Sequence, residues 1–368
     1  MLSPQDDLIG HQTPTAFNHV ASSDERWTER YWYSGAPIDL PGVVLDLGLG
    51  WYPNRNVMDV FAGLTADGVQ TTFRASRRLG GDPLGTRVGP LSFQVIEGLR
   101  RHRLVLGENA SGLSFELDWL ARFDGLQEAQ SFRRKRNRVE EDLTRMTQFG
   151  RLQGWIELNG RRFEATPQTW WSQRDHSWGI RSRMQTDMAS NDSLPAYKEF
   201  FWFWLTYQFD DFALSLFLKE REPGAPFFLS GEEVDKDGRT RHVVAVEHEI
   251  EWADDPLGQT WKGGVLELTY ADGGRRRITL DPQPGRFFLK GGGYGGHKGW
   301  NHGDDMGREH SDHYVWDLSD PETRRQARQL GDHFTRVECD GAVGWGMSEY
   351  GVAKGYPKYQ IAQAHEPL

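Results

Sequence analysis

The densest group of chemically capable side chains lies in residues 170–181, which read WWSQRDHSWGIR. This segment holds three Trp, two Arg and the adjacent pair Asp175 and His176. A titratable pair among large aromatic rings is unfavourable to bury unless it is hydrogen-bonded or lines a pocket. Protonation of an alkene needs such a setting, because burial raises the pKa of an acid and ring faces stabilise a cation. Asp175 could be that acid.

Strand geometry would place the side chains of Asp175 and His176 apart. If residues 170–181 form a strand, Asp175 and His176 point to opposite faces. His176 then shares a face with Trp178, which favours His176 as the cavity residue that orients the acid or manages a water. Asp175 becomes a brace, paired with Arg174 or Arg181, at the junction between two domains. The segment could equally be a structural clamp, because ion-pair networks in folded proteins produce the same clusters.

A second polar group lies in residues 294–313, which contain four His among many Gly. Such density could bind a metal, but the spacings match no standard motif and the Gly content is typical of an exposed loop. We therefore expect no metal and no other cofactor. Tyr294 and His297 could instead reach the cavity mouth from this loop. The lone Cys339 has no evident base partner and is expected to be buried and inert.

Composition limits the partners. The chain has 368 residues, enough for two domains, and a net charge of −10, which gives no electrostatic reason to bind nucleic acid or an anionic membrane. We expect the basic run at residues 133–138 to pair with Glu140, Glu141 and Asp142 on a solvated face. No apolar run is long enough for a membrane helix, no export signal is visible, and one Cys suits a reducing compartment. These features predict a cytoplasmic protein and leave open whether it forms a homodimer.

The surrounding elements are predicted to be strands. Alternating segments are joined by hairpin signals at Asn159-Gly160, Asp210-Asp211 and residues 271–274. One helix is expected to begin at the N-cap Asp320 and end before Gly331. The charged residues 124–149 could form a helix or a long excursion. The pattern predicts an all-β fold with minor helix, built as antiparallel barrels or sandwiches.

A faint internal repeat suggests two related domains. The sequence GWIEL with GRR, from Gly154, recurs as GVLEL with GRR, from Gly264. Residues 191–195 resemble a linker, so we place the boundary near residues 185–195. The predicted organisation is an N-terminal arm at residues 1–25, one β domain at 26–190 and a second at 191–368.

The order of these motifs resembles the AttH-like and carotenoid 1,2-hydratase (hydroxyneurosporene synthase) superfamily. The resemblance is carried by the Asn-Gly hairpin, the RDHSWG sequence from Arg174, and the aromatic hairpin that follows, mainly over residues 150–215. It implies two tandem lipocalin-like domains, in a fold shared with some Diels–Alderases. It also implies functional importance for His176 and Trp178, with Tyr207 and Asp210 as the nearest matches to a Tyr and an Asp of the family.

The sequence therefore supports a cofactor-independent hydratase, lyase or isomerase for a hydrophobic small molecule such as a terpenoid, steroid or polyketide. The alternative is a non-catalytic carrier of a lipophilic ligand, and a metal enzyme built on residues 297–313 is the least favoured reading. The expected catalytic residues are His176, Asp175, Tyr207 and Asp210, and the expected substrate-binding residues are Trp171, Trp178, Trp204, Tyr294 and His297.

Overall fold

Two antiparallel sheets make up the molecule. The structure, a computed structural model, describes residues 16, 19–181, 200–327 and 330–361. The described residues form a curled half-barrel sheet and a closed eight-stranded barrel, so the predicted all-β fold is confirmed. Most of the expected N-terminal arm, and the expected boundary near residues 185–195, lie outside the described residues.

The curled sheet contains the first thirteen strands and one strand from later in the chain. Its main path runs β20-β4-β3-β2-β1-β13-β11-β8-β7-β6-β5, with β9, β10 and β12 paired to β11. A 3-10 turn, Pro53–Arg55, joins its second and third strands. The strands are β1 (Trp27–Pro37), β2 (Val44–Tyr52), β3 (Val57–Ala66), β4 (Val69–Arg78), β5 (Arg87–Val88), β6 (Leu91–Glu97), β7 (Arg101–Leu106), β8 (Leu113–Ala121), β9 (Leu126–Gln127), β10 (Ser131–Lys135), β11 (Arg138–Leu158), β12 (Arg161–Ala165), β13 (Trp170–Ile180) and β20 (Glu309–Asp317).

The closed barrel is formed by the second half of the chain. Strand β20 is its exception, because it pairs with β4 of the curled sheet from Glu309↔Arg77 to Asp317↔Val69. One helix, α1 (Pro321–Ala327), follows β20. The barrel strands are β14 (Phe201–Gln208), β15 (Phe212–Glu222), β16 (Ala225–Asp235), β17 (Thr240–Trp252), β18 (Trp261–Tyr270), β19 (Arg275–Phe288), β21 (Gly331–Cys339) and β22 (Ala342–Val352).

Local sequence signals explain most of the turns. The three predicted hairpins join β11 to β12, β14 to β15, and β18 to β19. Asn159 and Gly160 both have positive φ, as a tight two-residue hairpin turn requires. The repeat is also visible in the backbone, since Gly154 and Gly264 have positive φ values of 138° and 156° within β11 and β18. Asp320 accepts a hydrogen bond from the Thr323 N–H at 2.9 Å, which confirms it as the N-cap of α1.

Residues 124–149 form strands β9, β10 and the first part of β11, rather than a helix or an excursion. Strand β11 is 21 residues long, and its charged N-terminal part pairs with β10. Within this hairpin the guanidinium of Arg133 lies 3.9 Å from Glu140 and from Glu141, as expected for a solvated ion-pair face. The apolar periodicity fails here because this part of β11 has no fully buried face.

The barrel interior is a packed core. Its inward side chains form one buried cluster that includes Tyr207, and the rings of Trp261 and Tyr350 stack at a centroid distance of 4.1 Å. Outward residues of the same strands, such as Trp204 on β14, belong to a third cluster that also contains Trp32 and Phe61 of the curled sheet. The two sheets therefore pack through the outer wall of the barrel. Among the helices in the described residues, none is long and apolar enough to cross a membrane.

Candidate active site

The face of the curled sheet that meets the barrel carries ordered rows of polar residues. Directly paired residues on neighbouring antiparallel strands share a face, so the strand register fixes each row. Gly48 and Gly50 leave room on this face, because a Cβ there would meet the rings of Phe61 and Tyr52. One row contains Asp59, Gly50, Arg30, Ser177 and Arg145, and the next contains Phe61, Gly48, Trp32, Asp175 and Thr147.

Arg145 connects the two rows and reaches the barrel. Its Nε lies 3.2 Å from Asp175 Oδ2, and its Nη1 lies 3.3 Å from Glu128 Oε2. Glu128 Oε1 also accepts hydrogen bonds from Thr147 Oγ1 at 2.7 Å and from Trp204 Nε1 at 2.8 Å. Because Trp204 belongs to β14, this carboxylate joins the two sheets. Burial raises the pKa of Asp175, while Arg145 and Arg181 oppose that rise.

A glycine-rich loop, residues 289–308 between β19 and β20, covers one end of these rows; we call it the covering loop. Its His302 lies 3.1 Å from Arg30 Nη2 through Nε2 and 3.4 Å from Asp59 Oδ1 through Nδ1. Burial and the Arg30 charge lower the pKa of His302 to about 4, so the neutral ring accepts from Arg30 and donates to Asp59. The Gly303 N–H donates to Asp59 Oδ2 at 2.6 Å. The loop thereby holds Tyr294 with its ring centroid 4.6 Å from the Arg30 guanidinium.

Three carboxyl groups meet at the same interface, Asp46 from the curled sheet and Asp332 and Glu349 from the barrel; we call these three the buried carboxyls. Burial raises the pKa of all three well above their usual ranges, and the proximity of Asp332 raises that of Glu349 further. Among the described residues, the oxygens of Asp46 and Asp332 form no hydrogen bond of regular geometry, although Ser34 approaches Asp46 and Trp32 approaches Asp332. Their burial is tolerable when they are protonated, because an unpaired buried carboxylate is strongly unfavourable. Glu349 is paired directly with Trp204 in the barrel register.

These groups form one interface cluster. Glu349 is electrostatically coupled to Asp175 and Arg145, and Tyr294 to Arg30, Arg181 and Asp175. Burial raises the pKa of Tyr294 to about 12, so its hydroxyl is a neutral donor at physiological pH. We define the interface cluster as Arg30, Glu128, Arg145, Asp175, Arg181, Trp204, Tyr294 and Glu349.

Asp175 and His176 lie on opposite faces of β13, as strand alternation predicts. The ion pair of Asp175 is with Arg145, and not with Arg174 or Arg181. His176 instead faces the inner side of the curled sheet, where its Nε2 lies 2.7 Å from Glu29 Oε1. Its ring contacts those of Tyr31 and Trp178 at centroid distances of 4.6 and 5.0 Å, and Trp178 is 37% exposed.

Tyr207 and Asp210 lie away from both faces of β13. Tyr207 is fully buried inside the barrel, where its hydroxyl lies 2.7 Å from Ser348 Oγ. Asp210 is exposed on the turn between β14 and β15, and its backbone carbonyl accepts a hydrogen bond from Arg122. The structure brings neither residue to His176, because the β14–β15 hairpin places one in a closed core and the other in solvent.

The remaining expected ligand contacts divide between two places. Trp204 and Tyr294 belong to the interface cluster. Trp171 lies elsewhere on the same interface, where the guanidinium of Arg151 sits 3.7 Å from its ring centroid. His297 is turned away within the covering loop and packs against Tyr314 and Trp316, with a pKa that burial lowers to about 4.

Sequence reasoning named four members of the interface cluster and missed the other four, which are Arg30, Glu128, Arg145 and Glu349. A lone Asp46 within the apolar run of β2 was a usable signal, because an isolated carboxyl in a buried strand needs a partner. Arg30 alternates with the bulky residues of β1 and so had to face the other side. Arg145 and Glu128 lie in residues 124–149, for which the sequence favoured a helix or an excursion, and Glu349 lies in β22, which no predicted site includes. No group of three or more His, Cys, Asp or Glu side chains within the described ranges is arranged to hold a metal.

A crevice of about 320 Å³ occurs outside the cluster. It is lined by Phe73, Pro90, Glu108, Asn109, Ala110, Ser311, Asp312 and His313, beside the β4–β20 pair. None of these residues belongs to the interface cluster, so the crevice does not mark the candidate active site.

The fold is similar to that of an AttH from Nitrosomonas europaea, with a TM-score of 0.55 and 13% identity over 90% of this chain and 93% of that chain. This likeness confirms the expected relation in fold. Kievitone hydratase from Nectria haematococca matches with a TM-score of 0.40 and 10% identity, over 87% of this chain and 88% of the other. CghA with Sch210972 matches with a TM-score of 0.49 and 11% identity, over 89% and 88%.

Sequence comparison adds the family. No curated protein matches the chain. The model of the family described as "Family of unknown function (DUF8625)" matches residues 2–353, and the chain therefore belongs to that family.

Proposed function

We propose that this protein is a cofactor-independent hydratase, lyase or isomerase that acts on a hydrophobic small molecule at the interface cluster. The observation that carries the proposal is a carboxylic acid, Glu349, whose pKa burial raises well above its usual range and whose strand position is paired with that of Trp204. A terpenoid, steroid or polyketide substrate and a cytoplasmic location are parts of the same proposal.

Glu349 is suited to act as the general acid. Burial and the proximity of Asp332 raise its pKa, which favours the protonated form, and its side chain is partly exposed, so a ligand could reach it. A positioned acid whose pKa lies near the working pH accelerates proton transfer by about 10²–10⁴-fold. In hydration, the Glu349 carboxyl would give its proton to one alkene carbon and leave a cation on the other.

Asp175 is suited to act as the base in the same reaction. The Arg145 guanidinium at 3.2 Å favours its ionised form against burial. Two carboxyl groups whose environments separate their pKa values are a common arrangement for acid–base catalysis. A water would add its oxygen to the cation and give a proton to Asp175. Return of one proton to Glu349 completes the cycle, and the reverse sequence is a dehydration.

The aromatic wall of the interface would stabilise the cation. The rings of Trp32 and Trp204 meet edge to face with centroids 5.1 Å apart, and the Arg145 guanidinium lies 5.2 Å from the Trp204 ring. Ring faces attract positive charge by about 0.5–2 kcal/mol or more when they are desolvated. Phe61 and Phe287, which stack at 6.3 Å, extend the apolar surface on the side of the covering loop.

The test is turnover of an alkene panel in deuterium oxide. Terpenoid, steroid and polyketide alkenes are incubated with the protein, and mass spectrometry measures added water and deuterium at carbon. Glu349→Gln is expected to lower turnover by roughly 100-fold or more. Glu338→Gln, an exposed site on β21, is the matched control and should retain full turnover. Equal turnover by Glu349→Gln would remove the acid role.

The alternative is a carrier that uses the same interface without chemistry. Native mass spectrometry of the protein with the panel separates the two functions. A carrier would retain an unaltered lipophilic ligand, with no deuterium at carbon in any compound. That result would replace the proposed enzyme with the carrier.

A further inference from the structure

Arg181, at the end of β13, has weak compensation for its charge. Its Nη2 donates to Ser177 Oγ at 3.0 Å, while its buried Nε has no hydrogen-bond partner among the described residues. Burial, and repulsion from Arg30 and Arg145, lower its pKa to about 10, so it stays a cation at neutral pH. A partly buried charge without an opposite charge beside it is unfavourable, so an anionic ligand group would stabilise Arg181.

Arg30 is a second guanidinium at this place. Although burial opposes its charge, the nearby Tyr294, Tyr52 and Asp59 raise the pKa of Arg30 above its ordinary value. It is 8% exposed, and its contacts are the neutral His302 ring and the face of Tyr294. In the described part of the chain, no carboxylate forms an ion pair with it. Arg30 and Ser177 are direct cross-strand partners, and Ser177 also receives the Arg181 hydrogen bond. The two guanidinium groups therefore approach the same small side chain.

The nearby carboxylates already contact groups other than Arg30 and Arg181. Asp175 and Glu128 both lie against Arg145, and Asp59 accepts hydrogen bonds from Tyr52 and the Gly303 N–H. Burial raises the pKa of Glu349, which favours its uncharged form.

Solvent reaches this part of the interface. Arg145, Arg181, Tyr294 and Glu349 are each partly exposed, whereas Arg30 is buried behind them. A ligand entering past the partly exposed residues would meet the two guanidinium groups before it filled the aromatic wall. Guanidinium groups bind carboxylate and phosphate oxygens through paired N–H donors.

We infer that the ligand of the interface cluster is an amphiphile, an apolar body bearing a carboxylate or phosphate group that binds Arg30 and Arg181. This inference rests on the proposed function for the location of the ligand, and it concerns binding alone. The head group would complete the charge balance of the interface. The apolar body would then lie along Trp204 and Tyr294, within reach of Glu349.

Calorimetric titration with three matched probes tests the inference. Farnesoate, farnesyl phosphate and farnesol share one tail and differ in the head group. At least one of the two anions should bind about tenfold or more tightly than farnesol, and the better anion identifies the head group. Arg181→Gln should weaken that anion by about tenfold or more and leave farnesol unchanged. Arg162→Gln, on the exposed β11–β12 hairpin, should change none of the three.

A second variant guards against misfolding. Arg181→Lys keeps the charge and loses the paired donors, so the anion preference should fall but persist. Equal affinity of the wild-type protein for all three probes, binding of none, or equal weakening of all three by Arg181→Gln would overturn the inference. Selective anion binding without any alkene turnover would leave it standing and remove the proposed catalysis. Turnover of an uncharged alkene that Arg181→Gln does not affect would support the proposed catalysis and overturn the inference about an anionic head group.

Discussion

Asp175 and His176 are neighbours in sequence, and their side chains lie on opposite faces of β13. Asp175 faces Arg145 in the interface cluster, whereas His176 faces Glu29 on the inner side of the curled sheet. We expect Asp175→Asn to lower alkene turnover by roughly 100-fold or more, because the base would be lost. His176→Ala should keep most of the turnover. Both are measured by deuterium incorporation, with folding checked by circular dichroism.

The opposite result for these two variants would also be informative. A folded His176→Ala variant with no turnover, beside an active Asp175→Asn variant, would move the reaction to the inner face of the sheet. Trp178, 37% exposed beside His176, would then line the active site. The two substitutions are adjacent in the chain, so each is a positional control for the other.

The uncompensated charge of Arg181 also predicts an effect on stability. Burial lowers its pKa to about 10, which means that the native protein disfavours its charged form. Arg181→Gln should therefore raise the free energy of unfolding of the ligand-free protein by on the order of 1 kcal/mol. Urea unfolding measures this change. A loss of stability instead would mean that the native structure already balances the Arg181 charge.

The sequence predicts the contact partners of individual side chains less well than it predicts the secondary structure. Strand alternation predicts that Asp175 and His176 diverge, since that depends only on local geometry. It cannot predict Arg145 as the partner of Asp175, because their pairing depends on the register between β11 and β13. Glu349 is more remote still, because its pKa depends on Asp332 in the barrel, whose carboxyl faces Asp46 of the other sheet.

In the covering loop, the two side-chain contacts of His302 depend on its protonation state. His302 accepts from Arg30 and donates to Asp59 only as a neutral ring, and Arg74 also opposes its protonation. Its pKa is about 4 in the native protein against an ordinary value of 6.5, so the unfolded chain takes up the proton first as pH falls. The stability that His302 provides is fully present above pH 6.5 and is lost toward pH 4.

We therefore expect His302→Gln to flatten the loss of stability between pH 6.5 and 4 by about 1–3 kcal/mol. The measurement is urea unfolding at several pH values across this interval. His313→Gln, an exposed change on β20, is the matched control and should keep the wild-type slope. An unchanged slope in His302→Gln would show that His302 titrates normally in the native protein.

At the level of elements, turn chemistry predicts more than apolar pattern does. Asn159-Gly160 and the N-cap Asp320 identify a hairpin and a helix start, because each signal is local. The apolar pattern does not predict strand β11, because its 21 residues pair with several different strands and its parts differ in burial. The apolar pattern also does not predict that β20 pairs with β4, because the pattern within each strand carries no information about a partner far away in the sequence.

A third buried cluster joins the two sheets, in addition to the separate core of each. Trp32 and Phe61 of the curled sheet share one buried cluster with Trp204 and Phe334 of the barrel. Strand β20 adds a backbone connection, because it leaves the second half of the chain to pair with β4. We expect the two halves to unfold together, since separating them would expose this cluster and break that pairing.

The buried carboxyls make this interface sensitive to alkaline pH. Burial and the proximity of Asp46 raise the pKa of Asp332, which is fully buried with Trp32 and Glu349 as its other neighbours. The native protein then keeps a proton that the unfolded chain loses above the ordinary carboxyl range. Stability from this group is present at low pH and is lost as pH rises toward the native pKa.

Asp332→Asn should therefore stabilise the protein at neutral and alkaline pH, because an amide keeps the shape of the protonated acid and cannot ionise. We expect a gain of about 1–3 kcal/mol in the free energy of unfolding, with a flatter dependence above neutrality. Urea unfolding at increasing pH measures both quantities. Asp237→Asn, on the exposed turn between β16 and β17, should reproduce the wild-type curve. If Asp332→Asn follows the wild-type curve as well, Asp332 is already ionised in the native protein, and the two sheets meet across a charged contact.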